Sequence, residues 1–400
     1  MGPLNRQPEA MASRPALNDA QRFAWLRLIR TPRIGPSTFR DLINLYGSAE
    51  TALDRLADMT ARRGRAIKPA DPEAIHEELD LADQLGARFV AAGEPGYPVY
   101  LAKVDRPPPL LCVLEGGTAR LPDPAVAIVG SRNASAAGRR LATDMAQTLG
   151  EAGYAVHSGL ARGIDAAAHQ GALSTGTAAF LAGGIDRPYP VEHADLLKQI
   201  VDAGGAVYSE MPLGWTARAQ DFPRRNRLVA GSSLGLVVVE AARRSGSLIT
   251  AGQAADFGRA VMAVPGFPLD PRSEGPNQLL RDGATLVRSA QDVREEIEPL
   301  LEPSVTLHQT ELDWAAPTGS PRGQLTENPN QAADVPPVPD DGEAALASAM
   351  GVSPVSADDL IAATGLPTAM VRAWLVEMEL TDRLVRYAGD RFAWNPSVTA

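Results

Sequence analysis

From residue 125 onward, short apolar runs alternate with stretches of helical spacing, and this rhythm limits the fold more than any other feature of the chain. AVAIVG (125–130), YAVHSG (154–159), TAAFLAGG (177–184), GAVYSE (205–210), GLVVVEA (235–241) and RAVMAVPG (259–266) read as strands. Helical candidates fall near 135–151, 161–173, 190–203, 221–232 and 247–257. Short apolar strands joined by helices make a mostly parallel sheet with helices on both faces. Right-handed crossovers put the strands' C-terminal ends on one edge, where ligands bind at a topological switch point. An extended Rossmann-like α/β domain is therefore expected over 125–302.

The flanks read differently. Residues 20–58 show helical spacing (Phe23, Leu26, Leu28 and Ile29, then Phe39, Leu42, Ile43 and Leu45, then Leu53 and Leu56) interrupted by PRIGPS and YGS. A small SAM/helix-hairpin-helix-like domain is expected over 18–70. Its turn Ile34-Gly35-Pro36-Ser37 could offer N–H groups to a phosphate, although plain packing is the commoner use. Residues 71–124 read as a connecting α/β extension, with a helix near 71–86 and the strand-like ARFVA. Residues 303–342 lack periodicity and include PTGSPRGQLTENPNQAADVPPVPDD, a flexible linker. Over 343–395, two helices (ADDLIAATG and LPTAMVRAWLVEMEL) and a hairpin (RLVRYAGDRFAW) make a winged-helix-like domain. Its second helix carries Glu377 and Glu379 beside Arg372, so a protein-contact or structural role is favoured over reading a duplex.

Composition narrows the functional classes. A chain of 400 residues is expected to divide into two or three domains. The single cysteine, Cys112, sits in the apolar run LLCVLEG, which excludes an intramolecular disulfide framework and a cysteine-rich zinc site. No stretch approaches the apolar length of a membrane span, and the first residues hold no signal-like apolar core, so a cytoplasmic location without membrane association is expected. The net charge of −10 is unevenly spread: residues 121–290 sum to +1 and residues 291–400 to −12. Local arginine clusters decide whether a polyanion docks on the near-neutral core.

Those clusters stand where strands end. Gly130-Ser131-Arg132 leads into a helix whose unpaired N–H groups, dipole and neighbouring guanidinium could meet an anion, so Gly130, Ser131, Arg132 and Ser135 are expected contacts. Ser158, Gly159 and Arg162 follow the second strand and could extend that site, with Asp165 as a brace for Arg162. Phe222-Pro223-Arg224-Arg225-Asn226-Arg227 is the densest signal: positive charge beside a ring on which a base could stack. Helical spacing puts Arg224 and Arg227 on one face and turns Arg225 aside, so the first two are the expected contacts, one of them braced by Asp221, Glu210 or Glu240. Ser245 and Ser247, flanking Gly246, form another candidate anion nest. His157 and His169 lack metal-ligand spacing and read as structural or, for His169, surface residues. No activated nucleophile, Walker A sequence or metal signature is present, so neither covalent chemistry nor a cofactor is expected.

These blocks resemble the DprA/Smf family of bacterial DNA-processing proteins. The resemblance is carried by AIVGSRNAS, HSGLARGIDAAAHQGAL, FLAGGIDRPYP, SEMPLG, FPRRNRLVAG, VVVEAARRSGSLITA, and GRAVMAVPGFP followed by GPNQLLRDGA, in order over about 126–287. It implies binding of incoming single-stranded DNA, a homodimer through the Rossmann-like domain, loading of the RecA recombinase during natural transformation, and no catalytic activity. It also implies that the family's DNA-contacting arginine falls on Arg132, and that the loops Ser158–Arg162 and Phe222–Arg227 line the pocket. One departure is Ala137, where the family frequently carries a tyrosine.

Two other functions compete. A phosphoribohydrolase-type enzyme would need a PGGxGTxxE cradle, of which only Val264-Pro265-Gly266-Phe267 is reminiscent. A double-stranded-DNA regulator would act through residues 343–395.

Overall fold

The computed structural model describes residues 16–62, 66–117, 121–301, 338–351 and 353–397. They form two compact units, one of residues 77–301 and one that joins residues 17–76 to residues 338–397. The remaining residues, including 302–337 of the expected linker, lie outside the described ones.

In the joined unit, α1 (Asp19–Arg30), α2 (Pro36–Tyr46) and α3 (Ala49–Ala61) bury Leu26, Leu28, Phe39, Leu42 and Leu56 completely. Asn18 and Gln21 form a reciprocal capping box that starts α1, with bonds of 2.9 and 3.1 Å. Gly47 ends α2 in the left-handed region at φ 78°, a conformation that costs a residue with a Cβ.

The other unit is the sheet domain, which takes in its first helix from residue 77 onward. Its elements are α4 (Pro72–Gln84), β1 (Arg88–Ala91), α5 (Val99–Ala102), β2 (Leu110–Glu115), β3 (Ala125–Val129), α6 (Ala136–Glu151), β4 (Ala155–Ser158), α7 (Ile164–Gly171), β5 (Thr177–Leu181), α8 (Ala194–Asp202), β6 (Ala206–Ser209), α9 (Asp221–Gly231), β7 (Gly235–Val238), α10 (Gly246–Asp256), β8 (Ala260–Ala263), α11 (Glu274–Arg281), β9 (Thr285–Leu286) and α12 (Ala290–Ile297). The sheet order is β1-β2-β6-β5-β4-β3-β7-β8-β9. Strands β3 to β9 run parallel, whereas β2 pairs antiparallel with β6, and β1 with β2. The strand period of two explains the apolar runs. Val126 and Ile128 pack with Met145, Leu149 and Ile164 on one face, while Ala127 and Val129 pack with Leu228, Val229 and Ala251 on the other.

Residues 71–124 are thus more than a connection, because β1 and β2 carry the sheet beyond β6. Among the described residues no helix separates β2 from β3, so the alternating rhythm did not mark them, although LLCVLE has the apolar run of a buried strand and Cys112 is buried within it. The chain travels from β3 through β4 and β5 to β6, returns to lay β7 on the other side of β3, and continues outward to β8 and β9. The switch point therefore lies between β3 and β7.

In the joined unit, α13 (Asp340–Ala349), β10 (Val355–Ser356), α14 (Ala357–Thr364), α15 (Thr368–Leu380), β11 (Leu384–Tyr387) and β12 (Arg391–Trp394) have winged-helix order, with the sheet β10-β12-β11. Helix α13 starts inside the stretch expected to be linker. Residues 18–70 and 343–395, expected as separate domains, pack into one body through α15 and α2. Arg33 donates to the Leu380 carbonyl at 3.1 Å. Arg386, its side chain 7% exposed, reaches Asp41 at 2.5 Å, Glu379 at 2.8 Å and Asp390 at 3.4 Å. Helix α15 buries Val371, Trp374, Leu375, Val376, Met378 and Leu380.

Candidate functional site

The loops after β3, β4, β5, β6 and β7 line an open cavity of about 740 Å³ at the switch point. Two glycines let these loops close on each other. A Cβ on Gly130 would meet the Ile164 side chain and the Glu240 carbonyl, and Gly163, at φ 78°, lies against the Ser131 carbonyl. Ile164 N–H donates to that same carbonyl at 3.2 Å, tying the β4 loop to the β3 loop.

The anion site expected at the start of α6 is already filled by the protein itself. Glu240 accepts from Ser135 N–H at 2.9 Å and from Ser135 Oγ at 2.5 Å, and its carboxylate occupies the space a Gly138 Cβ would need. A carboxylate satisfies a helix N-terminus as a phosphate would. Ser135 is accordingly a cap, outside the cavity lining. Helix α10 keeps its start open instead. Ser245, Gly246 and Ser247 all line the cavity, with Ser245 Oγ accepting from Ser247 N–H at 3.3 Å. Among the described residues no carboxylate caps α10, so its dipole and N–H groups remain available to a ligand anion.

The arginines reverse the expected roles. Arg224 and Arg227 do share a face, but both are held by Glu210: Arg224 Nε at 3.0 Å, and Arg227 Nη2 at 2.6 Å from each carboxylate oxygen. Burial would push the Glu210 carboxyl up, but the two guanidinium groups hold it below the usual carboxylate range. Neither arginine lines the cavity. Arg225, expected to point aside, is buried and does line it, donating to the Gly159 and Phe180 carbonyls, the latter at 2.9 Å. The place of a Gly159 Cβ is taken by this guanidinium. The error came from the register: helical spacing groups residues by face but does not say which face turns inward.

Arg162 is exposed, ion-paired with Glu192, and outside the cavity lining. Asp165 braces the cavity floor rather than Arg162, accepting from Gly159 N–H at 3.2 Å and Ala161 N–H at 3.3 Å. Burial raises its pKa, against the opposing pull of Arg225 and Arg132. Arg132 is exposed, lines the cavity and carries no ion pair among the described residues. It lies 5.1 Å from the Phe222 ring centroid. Asn226 lines the cavity and donates to the Gly246 carbonyl at 3.3 Å.

Ser158 is fully buried, its Oγ donating to the Ile128 carbonyl at 2.6 Å, so it fastens β4 to β3 and does not face a ligand. Beyond it, Leu160 holds a left-handed φ of 56°, a strained conformation for a residue with a side chain. Histidines pin it on both sides. His193 Nδ1 lies 2.8 Å from the Leu160 carbonyl, and Leu160 N–H donates to His169 Nε2 at 3.3 Å. Thr177 Oγ1 donates to the Val156 carbonyl at 2.7 Å, so His169 Nδ1 must be the donor in its 2.8 Å contact with Thr177. This neutral tautomer is what burial favours. The pKa of His169 is pushed down to about 3 by desolvation, with His157 and Arg225 adding to the effect, and that of His157 to about 4 by desolvation. Both histidines are buried and structural; neither is a surface residue.

A pH dependence follows. Below about pH 6.5 the unfolded chain takes up protons on these two histidines and the folded chain does not. Stability is therefore full above that pH and falls towards pH 4, by up to about 1.4 kcal/mol per pH unit for each group. Asp165, with its raised pKa, offsets part of the loss at the acid end. Urea midpoints from pH 7.5 to 4.5 should fall, and His169→Gln should flatten the slope.

Phe222 also lines the cavity, with Tyr189 edge-on to it at 5.4 Å and an interplanar angle of 70°. Sequence reasoning passed over Tyr189, Asn133 and Thr250, which line the same cavity. GIDRPYP offered an aromatic as a signal, but its loop meets the others only in three dimensions. Among the described residues no His, Cys, Asp and Glu group is arranged to hold a metal ion, and no helix is long and apolar enough to cross a membrane.

Three family descriptions match the chain: "DNA recombination-mediator protein A" over residues 88–298, "DprA-like N-terminal HHH domain" over 19–80 and "DprA winged helix domain" over 330–390. Protein Smf of Escherichia coli is 38% identical over 243 residues, a match covering 60% of this chain and 64% of that protein, less than two thirds of its length. Protein Smf of Synechocystis is 31% identical over 328 residues, covering 78% of this chain and 82% of that one. The X-ray structure of DNA processing protein A from Streptococcus pneumoniae superposes with a TM-score of 0.55 at 30% identity, covering 71% of this chain and 99% of that one. With the sheet domain matched from β1 to α12, this chain belongs to the DprA/Smf family of DNA recombination-mediator proteins.

Proposed function

We propose that this chain binds single-stranded DNA in the switch-point cavity and, without covalent chemistry of its own, hands the strand to the RecA recombinase during transformation and recombination. One observation carries the reading: Arg132, which has no ion pair among the described residues, and the start of α10, capped by the Ser245 hydroxyl and by no carboxylate, face one open cavity that also holds two aromatic rings. Cations and oriented N–H groups neutralise backbone phosphate, and the rings suit unstacked bases. The names of the relatives, which process DNA, point the same way. A homodimer through the Rossmann-like domain is part of the proposal. It is supported by Phe267 and Leu269 in the loop after β8 and by Leu286 in the outermost strand β9, all exposed. Transfer to RecA rests on the family resemblance.

The competing readings meet obstacles. A duplex reader would use α15, but that helix is packed against α2 and largely buried. A base-releasing enzyme would use Glu240, but both its oxygens are engaged by Ser135.

Salt dependence checks the reading. For a labelled dT20, about two phosphate contacts should give a log–log slope of affinity against salt of about −1.4. Unlabelled single strand should compete and duplex of equal length should not. Equal competition by duplex would contradict the proposal.

A further inference from the structure

We infer that Tyr189, rather than Phe222, is the ring on which a DNA base stacks. The inference rests on the single-strand reading above and assigns its base-contacting residue. Phe222 combines aromatic character with neighbouring positive charge, but its ring is half-buried and already has partners. Arg132 lies 5.1 Å and Arg225 5.9 Å from its centroid, and Tyr189 meets it edge-on. A guanidinium over a ring gains by cation–π attraction and is itself positioned by it. Phe222 therefore sets the direction of the two cavity arginines.

Tyr189 is the complement. It lines the same cavity, its residue is 50% exposed, and among the described residues Phe222 is its only aromatic partner. A T-shaped contact with one neighbouring ring covers at most one face of Tyr189, and no stacked ring or cation–π partner lies against it among the described residues. Ile249, 49% exposed, lines the same cavity and adds apolar surface to it. An exposed ring in the same cavity as a guanidinium without an ion pair has the chemistry to hold one nucleotide, with the phosphate on Arg132 and the base on Tyr189. The contact should be indifferent to base identity, because every base has a π-face.

The test compares Tyr189→Ala, Tyr189→Phe and Tyr189→Trp in the full chain, using labelled dT20 and an abasic strand of the same length. Tyr189→Ala should weaken dT20 binding on the order of 5- to 100-fold, the range for one stacked base. On the abasic strand it should match the native protein. Tyr189→Phe should stay within about twofold on both, since the ring and not the hydroxyl is used. In Tyr189→Trp, emission beyond that of the native tryptophans should be quenched by dT20 and not by the abasic strand, which keeps the test sound if the alanine variant folds poorly. An equal loss on both strands, no loss on dT20, or no base-dependent quenching would overturn the inference. If Arg132→Ala still weakens dT20 binding in that case, the single-strand reading survives; if the native protein binds no single strand, both fall.

Discussion

Arg225→Met should lower the stability of the sheet domain by about 3–5 kcal/mol, the usual cost of removing one partner from a buried charged cluster. In the native protein this guanidinium bonds the Gly159 and Phe180 carbonyls and offsets the charge on Asp165. Methionine would fill much of the volume but leave both carbonyls without that donor and Asp165 without its nearest balancing cation. The Asp165 pKa should then rise further, so the loss should be larger at pH 8 than at pH 5. Arg225→Lys should recover only part of it, because one ammonium does not reproduce the planar fork. Urea denaturation at the two pH values, followed by far-UV circular dichroism, checks all three statements.

Arg386→Met should act comparably in the other unit. One guanidinium stands among Asp41, Glu379 and Asp390. Burial alone would make it less basic, yet Asp41 and Glu379 raise its pKa. Removing it leaves three carboxylates facing one another with little water, at a cost of about 3–5 kcal/mol. The contact joins β11 to α2, so the helical and winged-helix segments should lose their joint unfolding transition and melt separately. Asp41→Asn in the same background should restore part of the loss, and a double-mutant cycle by calorimetry measures that coupling. Unchanged melting of Arg386→Met would show that the two segments are held together by apolar packing alone.

The parallel sheet from β3 to β8 was legible because its order comes from local period: apolar runs too short for helices, each followed by a helical stretch. The loops after those strands were legible for the same reason, since topology alone brings strand ends to one edge. What the sequence hid was pairing at a distance. Glu240, more than a hundred residues from Ser135, fills the helix start that looked ready for phosphate. Glu210, one of three expected braces for a single arginine, takes up both Arg224 and Arg227, and the inward turn of Arg225 was not legible because a three-residue rhythm has no inward or outward sense. Tyr189 is close to Phe222 only through the fold. The contact between α15 and α2 joins segments some three hundred residues apart and left no mark in either one. Ala137 lies in the first turn of α6 and outside the cavity lining, and the aromatic surface of the cavity comes from Phe222 and Tyr189.

The most direct measurement is fluorescence anisotropy of labelled dT20 with the native chain, Arg132→Ala and Arg162→Ala. Both arginines are exposed and both follow strands of the same sheet, but only Arg132 lines the cavity. Losing one charge-assisted phosphate contact should weaken Arg132→Ala about 10- to 100-fold. Arg162→Ala should stay within about twofold, in line with the small net worth of an exposed ion pair. Equal affinity of the native chain and Arg132→Ala, or a larger loss from Arg162→Ala, would contradict binding in the switch-point cavity.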